Sequence, residues 1–393
     1  MGTVWTMRQR ALAVMEGKRP DRIPFITRLE TWYKSHQRTG TLPAEYRELT
    51  LPELHAAVKT GQLKFMVPYA WRLRGVEARA WFNGELCYHE YEPVVESFPG
   101  MWDLVPTERA GVTVTELATP AGRLTLQHLL LEENVLTGTD PYLKEHLIKE
   151  EADYRTVEYI LERIEYLPRY RDYLEEQASL GENAFVVPLL NRIPFQQVLL
   201  EYLGEKALFY SLYDCPAKVE RLLKVLDVQM LEILGQVSGL DAPYVEFPDN
   251  LHGLMTNPKL FREYCLPAYQ QYTEILHRQG KKAGSHTDGD VKPLLKPLAE
   301  TGLDVCESFS PCPLTGCSFE EAAAAWEAGP VIWGGIPSPI LEEETSPDEF
   351  ETYLEHLFAK IHRPLILGVV DLFMRHNSLE RVRRTAQLIE NRT

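Results

Sequence analysis

Strand-like and helix-like segments alternate through the second half of this 393-residue chain, and that alternation constrains the fold more than any other feature. The apolar, strand-like runs lie at residues 184–190, 243–247, 281–286, 302–306, 331–334 and 365–370. The helix-like segments lie at residues 216–237, 258–279, 291–301, 319–328, 346–361 and 379–390. Repeated βα units with short loops indicate a parallel sheet, either closed or doubly wound.

A closed barrel fits these units better than a nucleotide-binding sheet. No Gly-x-Gly-x-x-Gly segment or Walker-type loop follows the strands, so the nucleotide-binding interpretation lacks its main support. Polar residues instead recur at or just beyond the strand ends, where barrel enzymes place their sites. These residues are Asn191, Glu246, Asp249, Asn250, His286, Asp288, Glu307 and Asp371. A scatter of solvated loop residues would produce part of the same pattern. We predict an α/β fold, a single distorted (β/α)8 TIM-type barrel domain over residues 1–393.

The first half of the chain is less regular. A helix is expected at residues 6–16 and the first strand at residues 23–27. The Asn83-Gly84 and Pro120-Ala121-Gly122 sequences are typical of tight turns between antiparallel strands. We therefore predict a β-hairpin region inserted at about residues 78–132, which could act as a lid or an oligomer contact.

Composition excludes several classes of function. A formal net charge of −16 disfavours binding to the phosphate backbone of nucleic acids. No apolar run approaches the roughly 20 residues of a membrane span, and residues 1–10 lack a signal-peptide core. The six cysteines are too few for a disulfide framework, and Cys312 and Cys317 form only a weak metal motif. We expect a cytoplasmic protein with a small-molecule substrate.

His286 and Asp288 carry the strongest chemical signal, because they stand two residues apart where a strand passes into a loop. Residues i and i+2 of an extended segment point the same way, so the two side chains could converge on one ion or one substrate. Glu307 follows the next strand, and Asp371 lies near the chain end. A structural alternative is that His286 and Asp288 bond to each other and Asp288 caps the helix near residue 291.

Two further structural alternatives stay open at this stage. Glu307 could pair with Lys281 or Lys282 on the adjacent strand instead of facing a site. Asp371 could cap the last helix.

Several segments, in order along nearly the whole chain, resemble the uroporphyrinogen decarboxylase-like superfamily. They are Arg10-Ala-Leu, Gly17-Lys-Arg-Pro-Asp-Arg-Ile-Pro24, Thr119-Pro-Ala-Gly-Arg-Leu124, Ile148-Lys-Glu-Glu-Ala-Asp-Tyr154, Asn257-Pro, Tyr264-Cys-Leu-Pro267 and the segment around His286. The resemblance implies a single distorted barrel with its site at the C-terminal mouth, and a homodimer. The chain lacks the Met-Arg-Gln-Ala-Gly-Arg string of true uroporphyrinogen decarboxylases. Decarboxylation of uroporphyrinogen is therefore disfavoured.

The chain resembles more closely the corrinoid-dependent zinc methyltransferase branch, whose metal motif is His-x-Cys with a distant Cys on the last strand. His286-Thr-Asp288 matches this motif with Asp in place of Cys, and Asp371 falls where the distant Cys would lie. The resemblance implies a divalent metal held by His286, Asp288 and Glu307, with Asp371 as a fourth ligand or a supporting group. Zinc accepts such nitrogen and oxygen ligands, as do other divalent ions. A separate corrinoid protein would be the partner.

Neighbouring strand ends supply the remaining candidates. Glu246, Asp249, Asn250 and His252 suit proton transfer or substrate hydrogen bonding, although a structural role fits Glu246 and His252 equally well. Asn191 and Trp333 are candidates for substrate binding, because the glycines after Trp333 allow close approach.

The function that the resemblance implies for these residues is methyl transfer from a small, methoxylated or similar substrate to a corrinoid protein. A metal-assisted decarboxylase or lyase acting on a small carboxylic acid is the first alternative. A non-catalytic ligand-binding barrel is the second, and the many ionisable groups at strand ends count against it.

Overall fold

The computed structural model describes residues 5–96, 104–105, 108–370 and 372–392. Its strands are β1 (Ile26–Thr27), β2 (Gly61–Met66), β3 (Tyr69–Leu73), β4 (Glu77–Phe82), β5 (Glu85–Tyr91), β6 (Val94–Val95), β7 (Gly111–Thr119), β8 (Gly122–Leu130), β9 (Tyr142–Glu145), β10 (Ile164–Pro168), β11 (Ala184–Pro188), β12 (Tyr244–Phe247), β13 (Lys282–His286), β14 (Val305–Phe309), β15 (Val331–Pro337) and β16 (Ile366–Val370).

The α-helices lie mostly between these strands. They are α1 (Met7–Met15), α2 (Glu30–Thr39), α3 (Leu51–Ala57), α4 (Glu132–Thr137), α5 (Asp153–Leu161), α6 (Tyr170–Leu180), α7 (Pro194–Gln197), α8 (Glu205–Asp214), α9 (Pro216–Val237), α10 (Pro258–Leu260), α11 (Leu266–Arg278), α12 (Leu295–Ala299), α13 (Phe319–Ala325), α14 (Pro347–Ala359) and α15 (Leu379–Glu390). Short π-helical segments lie at Val198–Leu203 and Phe261–Cys265, and 3-10 turns at Ala44–Tyr46, Lys292–Leu294 and Ser338–Leu341.

Two parallel sheets carry the strands that the alternating sequence pattern predicted. One has the order β1-β2-β11, and the other has the order β12-β13-β14-β15-β16. Isolated parallel bridges, Leu189 to Glu246 and Phe25 to Leu367, join the edges of the two sheets. Because all these pairings are parallel, the carboxyl ends of the strands lie at one common edge. The α/β fold class is thereby confirmed.

Antiparallel pairing dominates the region between β2 and β11. One sheet has the order β5-β4-β7-β8-β9, and a smaller one has the order β10-β3-β6. The β4–β5 turn is Asn83-Gly84, and both residues have a positive φ, as a tight turn between antiparallel strands requires. The β7–β8 turn is Pro120-Ala121. Strands β4, β5, β7 and β8 lie in the part of the chain for which we predicted hairpins, about residues 78–132, whereas β3, β9 and β10 lie outside it.

A distinct apolar cluster fills the space between the two parallel sheets. Phe185, Tyr244 and Trp333 form mutual ring contacts, with centroids 5.6–6.3 Å apart. Met7 and Ala11 of α1 belong to the same cluster. Helix α1 begins with a capping box formed by Thr6 and Gln9. The buried face of this helix packs against the cluster. This aromatic cluster supports the strand residues that lead to the candidate site.

No helix in the described residues is long and apolar enough to cross a membrane.

Candidate functional site

An imidazole and two carboxylates meet toward the carboxyl ends of three adjacent parallel strands. Glu307, which we expected just after its strand, is the middle residue of β14, because that strand extends further than the apolar run at residues 302–306 indicated. His286 is the last residue of β13, and Glu307 of β14 is its direct partner in the strand register. Nδ1 of His286 lies 2.5 Å from Oε2 of Glu307 and 3.7 Å from Oε1 of Glu246, which lies on β12. One ligand atom from each residue lies within 4.8 Å of the others. We call Glu246, His286 and Glu307 the His–Glu cluster.

Glu246 is positioned by the strand pleat and by a hydroxyl beneath it. Tyr244 and Glu246 lie two residues apart on β12 and so face the same side, and the Tyr244 hydroxyl donates to Oε2 of Glu246 at 2.7 Å. Glu246 has 0% exposure. Its second oxygen, Oε1, faces His286 and accepts no hydrogen bond from the described residues. A buried acceptor without a donor is costly unless a cation or proton satisfies it.

The ionisation of the cluster follows from burial and close opposite charges. Burial and the neighbouring Glu307 carboxylate raise the pKa of Glu246 to about 7. Burial lowers the pKa of His286, but Glu307 and Asp288 outweigh it and leave that pKa well above its ordinary value. Without a metal ion, His286 therefore holds a proton between carboxylates. A divalent cation could take the place of that positive charge.

Asp288 lies on the other side of the same imidazole ring. Its Oδ2 is 3.6 Å from Nε2 of His286 and accepts a hydrogen bond from Asn250 at 2.9 Å. Burial raises the pKa of Asp288, but His286 and Asn250 together bring it down to about 2. The structure thus places Asp288 beside Nε2, while Glu246 and Glu307 face Nδ1. In metal sites, a carboxylate in this position holds the ring of a ligating histidine.

A cavity of about 420 Å³ opens onto the cluster. His286, Asp288 and Glu307 form part of its lining, together with Trp333, which is 1% exposed. Its indole Nε1 donates to the Ile26 carbonyl at 3.3 Å. One candidate for substrate binding therefore lines the same cavity as the charged residues.

Two positively charged side chains from the region around β1 and α2 line this cavity. Arg28 and Lys34 contribute to the lining. Arg28 Nε donates to Glu30 at 2.6 Å, and its guanidinium lies 5.1 Å from the centre of the Phe65 ring. Desolvation lowers the pKa of Arg28, but Glu30, Glu307 and Asp140 together raise it above its ordinary value. The same lining carries the carboxylates of Glu30, Asp140, Asp288 and Glu307, so Arg28 and Lys34 belong to a cavity of mixed charge.

Asp249 faces the core. It is fully buried and accepts from the Ile193 amide at 2.8 Å, the Tyr269 hydroxyl at 2.5 Å and the Ser285 hydroxyl at 3.1 Å. Burial raises the pKa of this carboxyl. Three donors already occupy it, so the structure does not bring Asp249 to the cavity with the cluster.

Asn191 and His252 also lie apart from the cluster. Asn191 accepts from the Tyr69 hydroxyl at 2.8 Å and its amide lies 3.2 Å from the Tyr166 hydroxyl. His252 Nδ1 accepts from the Leu254 amide at 3.2 Å. Neither residue is part of the cavity lining. Asn250 does line the cavity, and Asp371 lies outside the described residues.

The contacts of Lys281 and Lys282 test the alternative in which Glu307 pairs with one of these lysines. Lys281 donates to the Leu240 and Ala242 carbonyls, and Lys282 donates to Asp304 at 2.8 Å. The pairing of Glu307 with either lysine is therefore wrong.

The capping alternative for Asp288 is also wrong. Asp290 supplies the carboxylate that accepts from the Lys292 amide, at 3.0 Å.

Cys306, interpreted as a small interior hydrophobe, is fully buried. Cys312 is exposed while Cys317 is buried, and the metal-compatible group found in the described residues contains neither.

Three contributors to the site escaped the sequence analysis. Tyr244 could have been found from its two-residue spacing to Glu246, which places both on one face of β12. Arg28 follows β1 directly and so lies at the same edge as the other strand ends. Arg192 reaches the site through Asn250, at 2.7 Å, and nothing in the local sequence indicates that contact.

Comparison with known proteins extends these observations. The uroporphyrinogen decarboxylase (URO-D) family model matches residues 204–366, a range that contains the whole His–Glu cluster. This match confirms the resemblance that the sequence motifs indicated. No curated protein sequence matches the chain.

Among solved structures, a methyltransferase from Methanosarcina mazei shares the fold. The similarity has a TM-score of 0.56 at 12% identity and covers 99% of both chains. Ribulose-1,5-bisphosphate carboxylase/oxygenase from Pyrococcus horikoshii gives a TM-score of 0.30 at 13% identity, over 59% of this chain and 46% of its own. The second value is too low to support any argument, and the first supports the fold alone.

Proposed function

We propose that this uroporphyrinogen decarboxylase-like chain is a metal-dependent methyltransferase. It would move a methyl group from a small, methoxylated or similar substrate to a corrinoid carried by a separate protein. The observation that carries the proposal is the His–Glu cluster, which lies at parallel strand ends and opens onto a 420 Å³ cavity. The family match and the fold shared with the solved methyltransferase are consistent with it.

We further propose that the two parallel sheets form one distorted eight-stranded barrel within a single domain. The bridges at Leu189–Glu246 and Phe25–Leu367 would close the ring. The cluster would then lie at the C-terminal mouth, where barrel enzymes hold their sites. In this arrangement the antiparallel strands between β2 and β11 would be an insertion.

The residues present fit a divalent cation. One imidazole nitrogen and two carboxylate oxygens form a donor set that Zn²⁺ accepts, and Oε1 of Glu246, which accepts no hydrogen bond in the described residues, lies 3.7 Å from Nδ1 of His286. Glu246, His286 and Glu307 would hold the ion, and Asp288 would orient the imidazole from its other nitrogen. Asp371 stays a candidate for a fourth ligand or a supporting group. A bound Zn²⁺ would supply Lewis-acid polarisation of a substrate oxygen.

The proposed reaction places requirements on the cavity that its lining can meet. Methyl transfer from an ether breaks the carbon–oxygen bond, forms a carbon–cobalt bond on the partner's cob(I)alamin, and leaves an alkoxide that takes up a proton from solvent. Arg28 and Lys34 line the cavity and can stabilise the negative charge that develops on that oxygen.

Metal content tests the proposal first. We expect protein purified without chelators to contain about one zinc or similar ion per chain, and His286→Ala and Glu246→Ala to lose it. His277→Ala is the matched control, because His277 also bonds a carboxylate, Asp304 at 2.7 Å, outside the cavity. A metal-free wild type, or equal metal content in all variants, would contradict the ligand assignment.

Methyl transfer itself can be followed by absorbance. The metal-loaded protein is mixed with cob(I)alamin and a panel of methoxylated aromatic compounds and methylamines. Conversion of the cob(I)alamin spectrum to that of methylcobalamin, absent in His286→Ala and present in His277→Ala, is the expected result. A genuine substrate that is consumed without any cobalamin would contradict methyl transfer.

Such cobalamin-independent turnover would favour the second candidate, a decarboxylase or lyase acting on a small carboxylic acid. The specific observation behind this candidate is the presence of Arg28 and Lys34 in the cavity lining, since both can bind a carboxylate. Carbon dioxide release from a carboxylic acid panel, reduced in Lys34→Ala, would identify this activity.

A further inference from the structure

A second charged cavity lies at the opposite end of the parallel strands. It has a volume of about 490 Å³ and is lined by residues that precede β1 and β16, together with residues from the ends of α14 and α15. The segments 19–23 and 361–365 enter their strands here, whereas His286 and Glu307 lie toward the ends at which the strands leave the sheet. We call this space the basal cavity. It is separate from the candidate metal site.

The basal cavity is strongly cationic in a chain whose net charge is −16. Four arginines contribute to its lining: Arg19, Arg22, Arg363 and Arg392. The one acidic residue in the lining is Asp21, and both of its oxygens accept from Arg10, at 2.7 and 2.8 Å. Little carboxylate charge in the lining is therefore left for the four guanidinium groups.

The ion pairs of these arginines confirm the imbalance. Arg22 lies 3.3 Å from Glu390, but Glu390 also accepts from Lys59 at 2.6 Å. The Nε atom of Arg22 is buried and has no hydrogen-bond acceptor within the described ranges. In the same part of the chain, no carboxylate lies within ion-pair distance of Arg19, Arg363 or Arg392.

Within the described residues, backbone carbonyls and not a carboxylate hold Arg363. Its guanidinium donates to the Trp326 and Gly329 carbonyls. Burial lowers the pKa of Arg363, and Glu327 opposes this only in part. Trp326 is the C-cap of α13, so Arg363 lies at the carboxyl end of that helix, which favours its positive charge. That interaction does not explain Arg19 and Arg22, which precede β1, or Arg392.

Apart from His362, the remaining lining is apolar and suits a flat group. Phe358, Ile361, Pro364 and Leu365 line the cavity. The guanidinium of Arg392 lies 4.6 Å from the centre of the Phe358 ring. A planar ligand could therefore stack against Arg392 and the apolar wall, while its charged end meets the other arginines.

We propose that the basal cavity binds a small organic anion, with a phosphate or carboxylate head among the arginines and a flat apolar body against Phe358 and Pro364. Arginine suits both heads because its planar fork matches their oxygen atoms. The site would be distinct from the His–Glu cluster and independent of methyl transfer.

Calorimetric titration of the full chain tests this proposal with defined probes. Phenyl phosphate and benzoate distinguish the two heads, inorganic phosphate lacks the apolar body, and benzyl alcohol lacks the charge. We expect at least one of the two aromatic anions to bind with a stoichiometry of one and to raise the melting temperature. Inorganic phosphate should bind more weakly, and benzyl alcohol should not bind.

Variants locate the binding. Arg19→Ala and Arg392→Ala change exposed side chains, so both should fold, and each should weaken binding by on the order of ten-fold. Arg383→Ala removes an arginine of α15 that pairs with Glu380 at 2.9 Å, and the affinity of this variant should equal that of the wild type. Lys34→Ala should also bind normally.

Two results would overturn the proposal. One is the absence of binding by both aromatic anions. The other is binding that Lys34→Ala abolishes while Arg19→Ala and Arg392→Ala leave it intact, because the anion would then occupy the cavity at the His–Glu cluster.

Discussion

Arg192 Nη1 donates a hydrogen bond to Asn250 Oδ1 at 2.7 Å. Because a guanidinium can only donate, this contact fixes the orientation of the Asn250 amide, whose nitrogen then donates to Asp288 Oδ2 at 2.9 Å. Asn250 has a φ of +48°, a conformation that asparagine tolerates better than most residues. Arg192 therefore acts on His286 indirectly, by holding Asn250 and Asp288 in place.

Replacing Asn250 by aspartate tests this arrangement. Asn250→Asp keeps an acceptor for Arg192 but places a second carboxylate beside Asp288, so the hydrogen bond is lost and two like charges meet. We expect a loss of about 1–3 kcal/mol in the free energy of unfolding at pH 7, measured by urea denaturation of the metal-free protein.

Asn257→Asp is the matched control for that variant. Asn257 caps a helix, and its Oδ1 accepts from the amides of Lys259 and Leu260 at 3.0 and 3.2 Å. Aspartate keeps this acceptor and is an equally good cap, so stability should change little. Equal effects of the two substitutions would show that the amide of Asn250 is not what holds Asp288.

Asp288→Asn tests whether Asp288 orients His286 or ligates a metal. A carboxylate that holds the second nitrogen of a ligating histidine contributes about 10- to 100-fold to metal affinity, so zinc affinity should fall by that factor. Competition with a chromophoric chelator measures the affinity. Asp290→Asn is the control, since the Asp290 carboxylate accepts from the backbone amides of Lys292 and Gly316.

If Asp288→Asn lost as much zinc affinity as His286→Ala, the result would have a different meaning. It would support the sequence-based assignment of Asp288 as a metal ligand, and the cluster geometry would then require revision.

The sequence anticipated the convergence of His286 and Glu307 but not the side of the ring on which Asp288 lies. The i, i+2 rule applies to extended backbone, and β13 ends at His286. Asp288 therefore lies beyond the strand, where a loop sets its direction. We predicted a catalytic role for Glu246 and not a place beside His286. The strand register between β12 and β13 brings Glu246 to Nδ1 of His286, and that register cannot be derived from one sequence.

Prediction of the fold succeeded where the apolar pattern was regular. The sequence pattern indicated β11 to β16 and α9, since each is a separate run bounded by turn residues. It did not indicate β2, Gly61–Met66, in which Gln62 and Lys64 interrupt the apolar composition. Pairing with β11 on one side and β1 on the other stabilises β2. Such tertiary contacts outweigh local propensity.

A buried carboxyl near Arg192 predicts a dependence of stability on pH. Burial raises the pKa of Glu201 to about 8, and Arg192, 3.1 Å away, offsets this only in part. Between the ordinary glutamate pKa and pH 8, the folded state holds a proton that the unfolded state has lost. The free energy of unfolding should therefore fall as pH rises, by roughly 3 kcal/mol between pH 4.5 and pH 7 from this group alone.

Glu201→Gln should flatten that decline, because the neutral amide does not titrate. Urea denaturation at pH 5, 6 and 7 in the presence of a chelator measures the slope for both proteins. Glu205→Gln, at an exposed position of α8, should leave the slope unchanged. An identical slope in wild type and Glu201→Gln would show that Glu201 is already ionised in the folded protein.

Gly284 is required by the close approach of β12 to β13. A Cβ atom at this position would overlap the Tyr244 hydroxyl, which donates to Glu246 at 2.7 Å. Tyr244 and Glu246 are fully buried, so the tyrosine ring cannot move into solvent. Gly284→Ala should therefore destabilise the protein by about 1–3 kcal/mol or more through overpacking, and it should weaken zinc binding by displacing Glu246.

Gly235→Ala is the same chemical change at a position where we expect no loss of stability or of zinc binding. Gly235 lies within α9, and its added methyl group would meet no atom within 4 Å. Alanine favours the helix by up to about 1 kcal/mol over glycine, so this variant should be slightly more stable and bind zinc normally. Urea denaturation and chelator competition on both variants give the comparison. If Gly284→Ala matched Gly235→Ala in both measurements, the contact between Tyr244 and β13 would not position Glu246.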